Sequence, residues 1–205
     1  NNSATMYLLE PGISVRPLQV LKIGVAASIM NNYDPLQYIT TIDHMSSERY
    51  IMGTLRQKTA GLTFRAELNI TPEISVQYYG SPFVSRGSYS EFKYITDPEA
   101  KGFDDRFRIY ENTHLSGGQY LLDENGDMIA DYYINNPDFN FNQFRSNLVA
   151  KWEYRLGSFI YLIWSSDRTG NTNSSRASYG QSLDQLFGLF PENMFLLKLS
   201  YWFTI

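Results

Sequence analysis

The sequence of 205 residues has no cysteine and only two histidines, so disulfide bonds and the common thiolate zinc sites are excluded. It also lacks a basic excess. The formal net charge is −4, and nucleic acid is therefore not an expected partner. No apolar run approaches the roughly 20 residues of a membrane-spanning helix, and the densest run is the short segment Phe159–Trp164. If the chain enters a membrane, it must do so as strands.

What the sequence has instead is aromatic residues, 16% of the total, and long stretches of alternation. From Lys58 to Ile70, apolar residues alternate with polar residues or glycine, and the same period recurs around Ile23, around Leu148 and in the C-terminal segment. A period of two predicts β-strands that have one apolar face and one polar face.

Short turns are predicted at Arg16-Pro17, Thr71-Pro72-Glu73 and Arg155-Leu156-Gly157. Longer connections are predicted at 32–49, 85–140 and 167–193. About seven strands follow, beginning near residues 4, 19, 50, 74, 142, 158 and 194. Short turns at one end and long loops at the other are typical of outer-membrane β-barrels, whose strands span the bilayer in about 9–11 residues.

The last segment, Phe195–Ile205, keeps its apolar alternation to the final residue and predicts a strand to the end of the chain. Within it, Lys198, Ser200, Phe203 and Ile205 resemble the C-terminal signal that directs such barrels to insertion. Serine stands where glycine is usual in that signal, and isoleucine stands where a terminal aromatic is usual.

The sequence therefore predicts an all-β fold, namely an antiparallel transmembrane β-barrel in the outer membrane of a Gram-negative bacterium. Residues 1–205 would form the C-terminal part of one barrel domain, with 85–140 as an extracellular loop subdomain within it. Because bacterial barrels have an even number of strands, further strands are expected upstream of Asn1. A soluble β-sandwich, whose apolar face would pack on a second sheet, is the alternative.

Several stretches, together with the single residue Arg65, resemble a known family. The stretches are Tyr50–Gly53, Thr71–Phe83, Gly87–Phe92, Pro137–Trp164, Phe187–Pro191 and Phe195–Lys198. The family comprises large secreted proteins, common in Bacteroidota, with an N-terminal domain similar to a family-9 carbohydrate-binding module and a C-terminal domain of unknown function. The resemblance implies that this chain is that C-terminal domain and that the glycan-binding module lies upstream. It implies no catalytic residue, since none is established for the family.

Charged residues of neighbouring strands are predicted to share the face that points into the lumen. They are Arg65, Glu67, Arg145, Lys151, Glu153 and Lys198. They could line a channel that selects solutes by charge. Because both signs occur on close strands, an ion-pair network that fills the lumen is the favoured interpretation.

The segment Asp123–Asp127 has oxygen-bearing residues at the spacing of a calcium loop, but Met128 and Ile134 stand where that loop needs glycine and glutamate. The dipeptide Asn125-Gly126 favours a β-hairpin instead. No metal ion or cofactor is therefore expected.

The two histidines, His44 and His114, fall in predicted loops. With Asp43, Ser46 and Ser47 nearby, His44 allows the hypothesis of a membrane hydrolase. Adjacency in sequence does not assemble a catalytic triad, however, and an ordinary loop histidine is favoured.

The segment Ser182–Gln185 has the form of a capping box and predicts a short amphipathic helix that ends before Pro191. Its apolar residues at helical spacing are Leu183, Leu186, Phe187 and Phe190. Packing of an outer loop against the barrel wall is the favoured role, with plugging of the mouth or docking of a partner as alternatives.

The predicted function is that of a non-enzymatic outer-membrane protein, either for glycan binding or uptake or as the barrel subunit of an envelope complex. Expected partners are outer-membrane lipid, a glycan bound through the upstream module, and other outer-membrane proteins or lipoproteins. Exposed tyrosines could stack on sugars, with Tyr110, Tyr132 and Tyr133 as candidates. A purely structural barrel without a channel and an outer-membrane hydrolase are the alternatives.

Overall fold

The computed structural model describes residues 3–44, 47–172 and 177–203, without the side chains of His44 and Ser47. Strands make up 71% and helix 7% of the described residues, and every strand pair among them is antiparallel. The prediction of an all-β, antiparallel fold is confirmed. None of the described residues belongs to a helix with the length and apolar character needed to cross a membrane.

The strands of the described chain are β1 (Thr5–Leu9), β2 (Gly12–Leu18), β3 (Leu21–His44), β4 (Ser47–Asn69), β5 (Ile74–Ile95), β6 (Phe107–Ile109), β7 (Asn112–Ser116), β8 (Gln119–Asp123), β9 (Tyr132–Asn135), β10 (Phe139–Arg155), β11 (Ser158–Thr172) and β12 (Glu192–Ser200). The helix α1 (Tyr179–Gly188) lies between β11 and β12, and a short 3-10 helix, Asp104–Arg106, precedes β6.

The main sheet has the order β1-β3-β4-β5-β10-β11-β12, and β2 pairs with β3 beside β1. Leu9 lies opposite Ile29 and Gly12 opposite Ala26, which is one continuous register. β1 and β2 are therefore a single edge strand, interrupted at Pro11, which has no backbone N–H to donate. Counted in this way, seven strands lie side by side and begin near the predicted positions.

The strands are longer than the sequence indicated, and the loop predicted at 32–49 is wrong. β3 continues to His44 and pairs with β4 as far as Ser47. Two register shifts in this pair, the first between Asp34 and Gln37, break the alternation by which a strand is recognised. Residues 85–95 likewise belong to β5, and 167–172 belong to β11.

Two predicted boundaries in the sheet also need correction. β2 runs through Arg16-Pro17, and its turn lies at Gln19-Val20. β12 ends at Ser200, opposite Phe159, rather than continuing to the last residue. The reason is that β11 begins at Ser158, so the neighbouring strand offers no further backbone groups for pairing.

The register aligns apolar residues of successive strands into rows across the whole sheet. One row reads Val15, Ile23, Ala66, Tyr78, Leu148, Trp164 and Phe195 from β2 to β12. The next row towards the short turns reads Leu21, Leu68, Val76, Ala150, Leu162 and Leu197. We call these rows and the apolar residues next to them on this face the apolar band. Much of the band is exposed: Phe195 is 78% exposed and Leu162 is 59% exposed.

At the end of the sheet away from the short turns, β7, β8 and β9 form a small separate sheet. It packs against the ends of β4 and β5 through a buried cluster of Ile51, Phe92, Tyr110, Leu122, Tyr132 and Ile134. Ile51 and Arg65 are both odd-numbered residues of β4, so they point to one face, whereas the band residues Ala66 and Leu68 are even-numbered and point to the other. The small sheet, which packs on Ile51, therefore covers the face opposite to the apolar band. We call this end of the molecule the small-sheet end and the other the turn end.

Candidate functional site: the polar face of the sheet

The charged residues that the sequence singled out come together on one face. Arg65 lies opposite Tyr79 of β5, and Glu67 lies opposite Gln77. Alternation along β10 and β12 brings Arg145, Lys151, Glu153 and Lys198 to the same face, opposite to the apolar band. That this polar face surrounds a lumen stays a prediction.

A cavity of about 570 Å³ opens on the polar face. Its wall includes Lys22, Arg65, Glu67, Gln77, Tyr79 and Asn147. The volume is in the range of small-molecule sites. The wall offers both charge signs, amide donors and acceptors, and an aromatic side chain, which is the chemistry that holds a polar solute by hydrogen bonds and ring contacts.

The charges of this face are mostly not neutralised by one another. Among the six predicted residues in the described structure, only Arg145 forms an ion pair, 2.9 Å from Asp167. The cations lie over aromatic rings instead: Arg65 over Tyr79 at 5.6 Å, Lys151 over Phe159 at 4.4 Å and Lys198 over Tyr161 at 5.5 Å. The ion-pair network favoured from the sequence is therefore reduced to one pair, because the aromatic residues take the place of the acids.

Two of the tyrosines predicted to be exposed are buried in the small-sheet end. Tyr110 and Tyr132 belong to the buried cluster, whereas Tyr133 is 60% exposed. The hydroxyl of Tyr132 donates to Glu124 at 2.6 Å, and Arg49 lies 3.2 Å from the same carboxylate. Burial, with help from Glu124, raises the pKa of Tyr132 to about 12. Sugar stacking by Tyr110 and Tyr132 is excluded by this packing.

Asn125-Gly126 lies in the connection between the antiparallel strands β8 and β9, with Gly126 at φ of 82°. The predicted hairpin is only partly right, because β9 begins at Tyr132 and the connection, 124–131, is longer than the two-residue turn that this dipeptide indicated. The Asp123 carboxylate accepts hydrogen bonds from the amides of Gly126 at 2.6 Å and Met128 at 2.8 Å and from the side chain of Asn112 at 3.1 Å. Burial raises the pKa of Asp123, but these donors outweigh it and the pKa is lowered. The carboxylate therefore serves to fix the loop.

A second hairpin in this region was missed from the sequence. Gly117 and Gly118 have φ of 59° and 83° and form the turn between β7 and β8. A Gly-Gly pair with positive φ at both positions is a recognised signal for a two-residue hairpin, so the sequence contained it.

The structure does not assemble a catalytic triad around His114 in the residues it describes. His114 lies opposite Leu121 and borders a cavity with Glu111 and Asp123, and no serine lines that cavity. Ser46 lies outside the described residues, as do the side chains of His44 and Ser47. A catalytic role of His44 therefore stays a prediction.

The predicted helix forms, but it begins earlier than its predicted cap. Ser178 caps the helix in a capping box with Gln181, and Ser182 is instead a buried helical residue whose hydroxyl bonds to Asn140. Leu186 is buried, while Phe190 lies beyond the helix and is almost fully exposed. The helix packs on β5, β10 and β11. It contacts Phe144 through Phe187, so it covers the face of the apolar band near the small-sheet end.

A buried lysine, Lys93, was not predicted from the sequence. The ammonium of Lys93 donates to Thr54 at 2.7 Å and to the carbonyl of Pro35 at 2.8 Å, with Glu91 at 3.7 Å. Burial lowers the pKa of Lys93, and Glu91 partly offsets this. Glu91 has a φ of 50°, which marks the irregular residue that shifts the alternation of β5 at this point.

The residues of the C-terminal signal are only partly ordered into the sheet. Lys198 and Ser200 belong to β12, whereas Phe203 lies beyond it and is 67% exposed. Ile205 lies outside the described residues. The role of these residues in insertion stays a prediction.

The geometry defines a class of protein: an antiparallel β protein whose main sheet has an exposed apolar face and a charged face with a cavity. Residues 91–204 match the model of a family described as a domain of unknown function, DUF5916. Since the match covers more than half of the chain, the chain belongs to this family. No curated protein and no solved structure gives a significant match.

Proposed function

We propose that this chain forms part of the wall of an outer-membrane β-barrel. The apolar band would contact lipid, and the polar face would line a water-filled interior that admits or binds a polar solute such as a glycan. The observation that carries the proposal is the alignment of exposed and half-buried apolar residues across seven strands, opposite to a face that holds the charges.

The exposed surface supports a membrane setting for the apolar band. The accessible surface is 13649 Å², whereas a compact soluble monomer of 23.7 kDa has roughly 9,800 Å². Soluble monomers rarely leave a contiguous apolar patch of more than a few hundred Å² in water. In contact with lipid, an apolar face avoids the free-energy cost of exposure to water.

The slope of the band supports a barrel in particular. Counted from the turn end, the apolar residues on this face of β4 extend to Ala60, and the next residue on the face is Lys58. Those of β12 extend only to Phe195, which is level with Ala66. The boundary of the apolar band is therefore displaced by about 20 Å along the strands over a distance of about 19 Å across the sheet, which is a slope of about 45°. Strands in membrane barrels tilt by about 35–45°, so this boundary would lie parallel to the membrane plane.

Closure of the barrel requires a partner for each outer edge of the sheet. In the described residues the outer edges of β1–β2 and of β12 have no partner strand. Unpaired backbone groups are not tolerated in lipid, so both edges would pair with further strands of the protein or with one another after further bending.

The cavity supports a role in the handling of polar solutes. It combines Tyr79 with amide and charged side chains, a set that suits sugars, which present both hydroxyl groups and apolar ring faces. The glycan part of the proposal also depends on the carbohydrate-binding module that the family resemblance implies.

Adjacent residues on opposite faces provide the test of the proposal. Because the sequence has no cysteine, a nitroxide spin label can be attached selectively to Leu62→Cys on the apolar face or to Thr63→Cys on the polar face. In the protein inserted in its membrane, we expect the label at 62 to be more accessible to oxygen and the label at 63 to be more accessible to a water-soluble nickel chelate.

A soluble β-sandwich would give a different result, because a label at 62 would be shielded from both reagents. Equal nickel access at both positions would also contradict the proposal. Labelled Lys101→Cys, an exposed residue outside the sheet, serves as the control for full access to water.

A further inference from the structure

Three cations lie immediately beyond the apolar band, on the same face and on the small-sheet side. On β4, Lys58 lies two residues beyond Ala60 in the direction of the small-sheet end, and Arg56 lies two residues further. Arg86 of β5 lies directly opposite Lys58. We call Arg56, Lys58 and Arg86 the basic patch. Together with Ser88 they line a shallow cavity of about 230 Å³.

The charges of the basic patch are not compensated by acids. Like charges directly opposite each other on neighbouring strands destabilise a sheet, and Lys58 and Arg86 form such a pair. In the part of the chain that the structure describes, the ion pairs formed within 4.0 Å involve other cations. Glu91 interacts with Arg56 only at longer range. Its carboxylate accepts a hydrogen bond from the hydroxyl of Thr54 at 2.7 Å.

Neutral partners hold the two arginines in place. Arg56 donates to the Ser90 hydroxyl at 3.1 Å and lies 5.5 Å from the ring centre of Tyr33. Arg86 stacks on Tyr179 of α1 at 4.0 Å and donates to the carbonyl of Ala177. These contacts orient the guanidinium groups and leave their charge available, which is the arrangement that a bound anion requires.

We propose that the basic patch binds the phosphate group of an anionic membrane lipid in the leaflet on the small-sheet side. This inference rests on the proposed function, since it takes the apolar band to be the lipid-contacting surface. The patch begins about 7 Å beyond the band, which is the level of the lipid headgroups. The acyl chains would then lie along the residues of the apolar band on β4, of which Leu62 is 44% exposed, and the phosphate would relieve the repulsion between Lys58 and Arg86.

The test compares vesicles of phosphatidylcholine with vesicles that also contain a minor fraction of phosphatidic acid, which carries a phosphate monoester. Lipid retained by the inserted protein is measured by native mass spectrometry. We expect phosphatidic acid to be enriched on the wild-type protein, and the double variant Lys58→Gln, Arg86→Gln to retain it about tenfold less tightly. Lys101→Gln removes one positive charge far from the band and should behave as the wild type does.

The outcomes separate this inference from the proposed function. If the wild-type protein does not insert in either vesicle, both fail. If it inserts with the labelling pattern of Leu62→Cys and Thr63→Cys described above but shows no enrichment, or if the double variant retains the lipid as the wild type does, only the lipid site is overturned. If inorganic phosphate displaces phosphatidic acid at equal concentration, the patch is a site for free phosphate and the assignment to a lipid is wrong.

Discussion

The two ends of the main sheet differ in how their apolar residues are used. At the small-sheet end, Ile51 and Phe92 are buried beneath a second layer formed by β7, β8 and β9. Towards the turn end, residues of the same strands, such as Leu62 on β4, remain exposed on a single-layered sheet. One strand therefore contributes to a protein core at one end and to an uncovered apolar surface at the other.

Under the proposed function, this difference means that the two ends are surrounded by different solvents. The small-sheet end is stabilised by burial among its own residues, as in a soluble domain. The turn end has no second layer in the described residues, and in the proposed function lipid covers its apolar band. Mutations at the two ends should therefore have effects that respond differently to the membrane.

The largest expected effect is that of Phe92→Ala. The ring is 1% exposed and lies 4.5 Å from the ring centre of Tyr120, so its removal leaves a cavity between the two sheets. We expect a loss of about 3–5 kcal/mol in the stability of the small-sheet end. Hydrogen exchange followed by mass spectrometry should show faster exchange in 107–135 and unchanged exchange in β10 and β11.

Phe190→Ala is the control, because Phe190 is 98% exposed and its truncation should leave exchange unchanged. Equal acceleration throughout the main sheet after Phe92→Ala would show that the two ends unfold as one unit, which would break the comparison.

A smaller effect is expected for Leu162→Arg at the centre of the apolar band on β11. An arginine on the lipid face costs about 2–4 kcal/mol at the middle of a bilayer. Ser165→Arg puts the same side chain on the polar face of the same strand and should cost only about 0.5–1.5 kcal/mol, through the lost hydrogen bond from Ser165 to Asn147. Urea unfolding in vesicles measures both. Similar costs for the two variants would mean that the two faces meet the same solvent.

The smallest effect on stability is expected for Arg65→Ala on the polar face. The side chain is exposed and contributes a contact with Tyr79, worth about 0.5–1 kcal/mol. We expect the protein to stay folded while the passage of solutes changes, with a weaker preference for anions in single-channel or vesicle-flux measurements. Pronounced unfolding would instead support the interpretation that the charges of this face fill the interior, and Thr63→Ala on the same face of β4, opposite Ala26, provides a control without a change in charge.

Much of the main sheet could be predicted because period-two alternation is a local signal. The pairs formed by β4 with β5 and by β10 with β11 have regular alternation and tight turns, and their positions follow from the sequence. The extension of β3 beyond residue 32 could not be found in this way, because the bulges near Asp34 change which face each residue meets. The capping box was displaced for a related reason: Ser178 and Ser182 both fit the pattern, and packing of Ser182 against Asn140 determines which one is the cap.

The sequence by itself determined the strand class, the approximate number of strands and the division of charged and apolar residues between two faces, because each depends on neighbours along one strand. The tertiary structure alone decided which residues meet across strands. The register sets Lys58 against Arg86 and slopes the apolar band across the sheet, and the packing of the small sheet buries Tyr110 and Tyr132. Such contacts join residues that are distant in sequence, so no local pattern specifies them.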